Sequence, residues 1–368
     1  MRLCTSLALA ALASALLLEP PLVRAEPLPS ALSDREFWRL LSEFSEPGGR
    51  FQLQYMSNED SFQFVMPSLK ETTPREGVYV GVGSEQNFAY IAAIRPKIAF
   101  ILDIRRENML EHLMYKALFE LSADRADFVS RLFSRKRPAG LDATSTAAVL
   151  FDSYRASEPD SALFEANFRD VIDRLVGGHG FQLSEADLAG IGRMMNVFHL
   201  AGPYVLRGTG DKNRTYAEMM VAADLTGRQH GYLASEENFQ AVRRLQRQNL
   251  VVPLVGDFAG DKALASVGRY LREHDAVVNV FYVSNVERYL FEQGDHGRRF
   301  YANVAALPLN PASTFIRSVT VDISRRLGIR LPDADASWRS FLVPIAECLS
   351  AIDSGRIQAY RDLFDGAR

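Results

Sequence analysis

The sequence predicts an α/β protein, a mostly parallel sheet with helices on both faces and a large helical insertion between the second and third core strands. Two observations predict the sheet. Residues 78–82, 97–102, 250–255 and 276–283 are short and continuously apolar rather than alternating, the pattern of strands buried on both faces of a helix-covered sheet. Amphipathic helical stretches alternate with them, which is the order a parallel sheet requires. A third observation predicts the insertion: from Asp103 to Asp257 the chain reads as helix after helix, with residues about 107–231 as the inserted part.

The elements follow in chain order. Arg2, the uncharged run 7–18, the break at Glu19-Pro20-Pro21 and the small residue Ala25 have the form of a secretory signal peptide over residues 1–25. The run is shorter than the roughly 20 helical residues a bilayer core needs. The expected product is a single α/β domain over 26–368, periplasmic or secreted, with no membrane attachment after cleavage. Its only cysteine is Cys348, so no internal disulfide can form. A first helix is expected over 34–44. Ser57 and Asp60 then have the S-x-x-D spacing of a helix cap. The segment 55–63 is echoed by 232–240, with Tyr, Glu, Phe and Gln in register, as if a capped helix feeding a buried strand were used twice. Residues 85–94 form a helix that stops at Arg95-Pro96, because the residue before proline is driven out of the helical region. Residues 106–121 carry Leu110, Leu113, Met114, Ala117, Leu118 and Leu121 on one stripe. Further helices are expected over 124–133, over 161–175 with a stop at Gly177-Gly178, and over 184–200.

The composition excludes several functions. Of 368 residues 47% are apolar and 24% charged, and 42 Lys and Arg face 45 Asp and Glu. A net charge of −3 provides no overall field to hold a polyanion, so nucleic acid is not an expected partner. There is no G-x-S-x-G, H-E-x-x-H, C-x-x-C or G-x-x-x-x-G-K-[ST], which leaves serine hydrolase, zinc peptidase, redox dithiol and P-loop readings without support. No metal site is expected. His199 lies on an apolar helical stripe and reads as a core residue, as does Cys348. The basic run 131–137 reads as a solvated helix end, and Arg105 and Arg106 as surface arginines with a possible phosphate role.

The most informative stretch is Gly77-Val78-Tyr79-Val80-Gly81-Val82-Gly83-Ser84-Glu85, followed by a helix and a second strand ending in Asp103. Closely spaced glycines between a strand and a helix let the backbone approach a ligand and aim N–H groups at it. Asp103 follows Gly83 by 20 positions, where a carboxylate can accept the two hydroxyls of a ribose. Gly256-Asp257-Phe258 closes the third strand with an acid and an aromatic suited to an adenine amino group and ring. Ser284 and Asn285 close the fourth.

At these residues the chain resembles the class I S-adenosylmethionine-dependent methyltransferases, which have a Rossmann-like fold. More closely it is similar to an uncharacterised bacterial family with a methyltransferase-like core. The resemblance covers roughly residues 77–103 and 249–290. It implies S-adenosylmethionine as cofactor, cofactor-binding roles for Gly81, Gly83, Glu85, Asp103, Asp257 and Phe258, and a place for Ser284 and Asn285 near the transferred methyl group. The acceptor is not implied. Two departures stand against it: Tyr79 occupies the position of the acid that precedes the first glycine, and Glu85 replaces the third glycine. Gln86 in turn departs from the dinucleotide G-x-G-x-x-G pattern. Export would separate such an enzyme from the compartment that makes S-adenosylmethionine, so a non-catalytic exported binding or interaction protein is the alternative expectation. Mass spectrometry of the protein purified from its source should find an N-terminus at or near Glu26. An intact Met1 would overturn the leader.

Overall fold

The computed structural model describes residues 26–207, 214–328 and 337–367, and the leader segment lies outside them. Six strands form one sheet in the order β3-β2-β1-β4-β5-β6. They are β1 Val78–Gly81, β2 Ile98–Asp103, β3 Val251–Val255, β4 Val278–Ser284, β5 Leu309–Thr320 and β6 Trp338–Pro344. The first five are parallel, and only β6 runs antiparallel, beside β5. The architecture is a Rossmann-like α/β fold. Every residue of β1, β2 and β3 is buried, so both faces are covered and the strands have no need to alternate.

Four helices set the ends of the central strands: α1 Asp34–Phe44, α2 Phe62–Thr72, α3 Gln86–Ile94 and α4 Arg106–Leu121. The residues of α1 and just beyond it guard the edge strand β3. The Glu46 N–H donates to Val255 O at 2.8 Å and the Val255 N–H to Ser45 Oγ at 3.0 Å. Edge position also accounts for Pro253 inside β3, since a proline has no N–H for a second neighbour.

Two local expectations need correction. Ser57 and Asp60 cap no helix, because α2 begins at Phe62 behind Ser61. Ser57 Oγ donates instead to Gln86 Oε1 at 2.7 Å, and Asp60 accepts the Ser337 and Trp338 N–H groups at 2.9 and 3.1 Å, tying this segment to α3 and β6. Its echo does behave as a cap: Ser235 accepts the Asn238 N–H ahead of the helix Glu236–Arg247. The helix expected over 161–175 keeps α geometry to Ile172 and then widens into a π-helical turn, Asp173–Gly178.

Between β2 and β3, from α4 to the helix Glu236–Arg247, the regular elements among the described residues are all helices. Arg106 holds Asp187 across it with two bonds of 2.7 and 2.8 Å. The basic run is solvated only at its end: Lys136 and Arg137 are exposed, Arg137 beside Asp124, whereas Arg131 is half-buried against Asp170 and Arg135 is buried. His199 is buried and stacked on Phe164. No helix among the described residues is long and apolar enough to cross a membrane.

Beneath β4 and β5 lies a buried ion pair. Arg317 grips Glu287 through Nε and Nη2, Tyr301 Oη donates to the same carboxylate, and Arg317 Nη2 also reaches Cys348 Sγ at 3.6 Å. Both charged side chains are 1% exposed. Replacing Arg317 by Met strands the carboxylate in a dry core, and urea denaturation should show a loss of about 3–5 kcal/mol. Adding Glu287→Leu should recover much of that loss, because a buried pair replaced by apolar groups leaves no lone charge.

Candidate functional site at the reversal of strand order

The sheet winds outward from β1 in both directions, through β2 and β3 on one side and β4 and β5 on the other. At such a reversal a crevice opens beyond the carboxyl ends of the strands. A cavity of about 230 Å³ lies there, lined from four strand ends: Gly83 and Ser84 after β1, Asp103 and Arg105 at β2, Asp257 and Phe258 after β3, and Ser284 and Asn285 at β4. The residues after α1 cross over it as a strap. The Gly49 N–H donates to Ile104 O at 2.7 Å and the Tyr55 N–H to Arg207 O at 2.6 Å, and Arg50, Phe51 and Gln54 between these anchors line the cavity.

Six of the eight residues singled out from sequence thus share one cavity. Gly81 and Glu85 do not line it. Gly81 is required from within: a Cβ there would lie 2.0 Å from Asn87 Oδ1. Asn87 is the staple of the loop, because its Nδ2 donates to Val82 O and Ser84 O at 2.9 and 2.7 Å while its Oδ1 accepts from Tyr79 Oη at 2.8 Å. The hydroxyl at the departed acid position is therefore already engaged inside the protein. Gly83, at φ +77°, has open space around its α-carbon, so only backbone conformation calls for glycine there. His112 holds Gly83 O through Nε2 at 2.8 Å, and burial pushes its imidazole down to about 4, so the neutral ring is the donor. With these carbonyls turned inward, the Gly83 and Ser84 N–H groups have no hydrogen-bond partner among the described residues.

Asp103 departs from the expected arrangement. Its Oδ1 accepts the N–H and Nε of Arg105 at 2.9 and 3.0 Å, and its Oδ2 accepts Arg105 Nη2 at 2.9 Å. A carboxylate offers about four lone-pair sites, which leaves room for one further hydroxyl rather than two. Arg105 is thus a buried partner of Asp103 and not a surface arginine. Asp257 uses Oδ1 for the Ala259 N–H at 2.9 Å and keeps Oδ2. Phe258 is stacked on Phe300 and set edge-on against Phe281, with 3% of its surface exposed. The aromatic pair at the mouth is Phe51 and Tyr289, edge to face at 5.0 Å.

Sequence reasoning missed Glu59. It lines the cavity from the strap's end, is 3% exposed, and accepts the Ser284 hydroxyl and, at 3.5 Å, Gln86 Nε2. Burial pushes its carboxyl upward. Its signal was the polar run Ser57-Asn58-Glu59-Asp60, which the cap spacing explained away. Behind the glycine loop are two more buried carboxyls. Glu85 accepts the Ser57 N–H at 3.0 Å and is pushed up to about 8 by burial. Glu111 accepts Ser84 Oγ at 3.2 Å and is driven well up by burial and then by Glu85. Among the described residues no group of three or more His, Cys, Asp or Glu side chains could hold a metal ion.

Over residues 55–356 the sequence matches the family described as Domain of unknown function (DUF7790). The chain belongs to that family. The matched span takes in the cavity from Ser57 to Trp338 and leaves Arg50, Phe51 and Gln54 outside it. No curated protein matches the chain.

Glu85 makes the fold sensitive to pH in a defined direction. Between the ordinary glutamate value of 4.5 and about 8 the folded chain retains a proton that the unfolded chain has released. Stability must fall there by up to about 1.4 kcal/mol per pH unit from this group. Urea denaturation should show the wild type losing stability relative to Glu85→Gln between pH of about 5.5 and about 7.5, and parallel curves would refute the buried neutral carboxyl.

Proposed function

We propose that the cavity takes an S-adenosylmethionine-type nucleoside ligand and that the protein transfers its methyl group to a small acceptor. One observation carries this reading: four strand ends, with unpartnered amides at the glycine loop and acids after β2 and β3, converge on a single cavity at the reversal of strand order. In this reading Asp103 Oδ2 accepts one ribose hydroxyl, Asp257 Oδ2 meets the adenine amino group, and the ring lies by Phe51 and Tyr289 rather than on Phe258. The sulfonium of such a ligand is already activated, so holding the acceptor in line with the methyl carbon and excluding water would supply most of the rate. The strap is placed to exclude that water.

The Asp103–Arg105 pairing favours a second reading, a non-catalytic periplasmic or secreted binding protein that retains the fold. The two are separated by thermal shift and calorimetry with S-adenosylmethionine, S-adenosylhomocysteine, adenosine and NAD. Stabilisation by the two adenosyl amino acids is expected, about 2.7 kcal/mol at 100 times the dissociation constant. Asp257→Ala should abolish it and cost the unliganded protein only about 1 kcal/mol, for the bond its Oδ1 accepts from the Ala259 N–H. Asp103→Ala should lower unliganded stability by about 3–5 kcal/mol, since it strands the Arg105 guanidinium. No shift with any of the four at millimolar concentration would remove the nucleoside site.

A further inference from the structure

Six residues other than glycine hold a positive φ among the described residues: Glu76, Arg95, Ser134, Asn249, Asp275 and Ser284. Five are explained by their place in the chain. Arg95 and Ser134 are helix C-caps, and Glu76, Asn249 and Asp275 turn the chain just ahead of β1, β3 and β4. Ser284, at φ +52°, is different: it is the last residue of β4, leads into the helix Val286–Phe291 and lines the cavity. The left-handed conformation is strained for an L-residue, whose Cβ crowds the following carbonyl oxygen. A serine standing where glycine would be unstrained, at a strand-to-helix turn facing a cavity, points to a use for its hydroxyl.

That hydroxyl donates to Glu59, a carboxyl otherwise enclosed by protein. Gln86 Nε2, at 3.5 Å from Glu59 Oε2, and the bond from Ser57 Oγ to Gln86 hold the glutamate's segment in place. Asn285 follows Ser284 in the lining of the same cavity, its Oδ1 3.4 Å from Ser284 Oγ, and its side-chain N–H groups have no hydrogen-bond partner among the described residues. A strained hydroxyl, a carboxylate within hydrogen-bond reach and an amide donor are the parts of acyl transfer. We propose that Ser284 is a nucleophile toward carboxylic esters, with Glu59 as its base and Asn285 as donor to the developing oxyanion. The inference concerns the same cavity but does not rest on its taking a nucleoside.

Ser284 Oγ adds to the ester carbonyl carbon while its proton passes to Glu59, and the carbonyl electron pair moves onto oxygen beside the Asn285 amide. The pair returns, the bond to the alcohol oxygen breaks, and the departing alcohol takes the proton from Glu59. Water then adds to the acyl carbon with Glu59 taking its proton. Collapse releases the acid, and Ser284 Oγ recovers the proton. Burial raises the proton affinity of Glu59, which makes its ionised form the stronger base.

The test is labelling of the full-length protein with an alkyl fluorophosphonate, which transfers phosphorus to an activated serine with loss of fluoride. Mass spectrometry should place the adduct on Ser284 in the tryptic peptide of residues 273–288. Ser284→Gly should be unlabelled yet melt higher than the wild type, because glycine relieves the positive φ. Glu59→Gln should slow labelling on the order of 10²-fold. An unmodified Ser284 in the wild type, or Glu59→Gln labelling at the wild-type rate, would overturn the proposal. If Glu59→Gln does not melt cooperatively, the wild type and Ser284→Gly decide it. Adenosyl-ligand shifts are read separately, so either proposal can fail alone.

Discussion

Parallel strands joined by right-handed crossovers end on one edge of their sheet, and where the winding reverses the crossovers depart on opposite faces and leave a crevice. Here that reversal lies between β1 and β4, and the arrangement of the cavity depends on it. Residues as distant in sequence as Gly83 and Asn285 line one space because their strands are neighbours in register, Val80 beside Phe281. The same constraint leaves β3 as an exposed edge, and the chain following α1 seals it through Ser45 and Glu46 before continuing over the cavity as the strap. Edge protection and cavity closure are thus successive tasks of one segment.

Behind the glycine loop the protein tolerates charge in two ways. Asp103 and Arg105 form a buried bidentate pair, in a place where either charge alone would be costly. Glu59, Glu85 and Glu111 have no such cation in hydrogen-bond contact among the described residues. Burial raises the proton affinity of all three, and Ser284, Ser57 and Ser84 respectively donate to them. The consequence is a cavity wall with a buried ion pair on the β2 side and a carboxyl of raised proton affinity on the β4 side, a division that suits different work at its two ends.

The strand segments, the glycine loop and the acids after β2 and β3 were legible because local rules govern them: apolar runs mark strands buried on both faces, and Gly83 needs a conformation that only glycine takes without strain. The cavity's other side was not. Glu59 looked like part of a cap because S-x-x-D is a local pattern, yet Ser57 and Asp60 have their partners on α3 and β6, 29 and 278 positions away. Arg105 looked like a surface residue because nothing in its neighbourhood reveals that Asp103 turns back toward it. Phe258 looked like a stacking platform, and Phe300, far along the chain, claims its face.

The sequence by itself determined the fold class and the residues that end the central strands, since periodicity, glycine and proline act within a few residues of where they stand. Tertiary structure alone decided which polar groups remain free for a ligand. Whether a carboxylate is ionised, paired or neutral depends on the dielectric and the partners around it, and those come from segments whose meeting is set by the winding of the sheet.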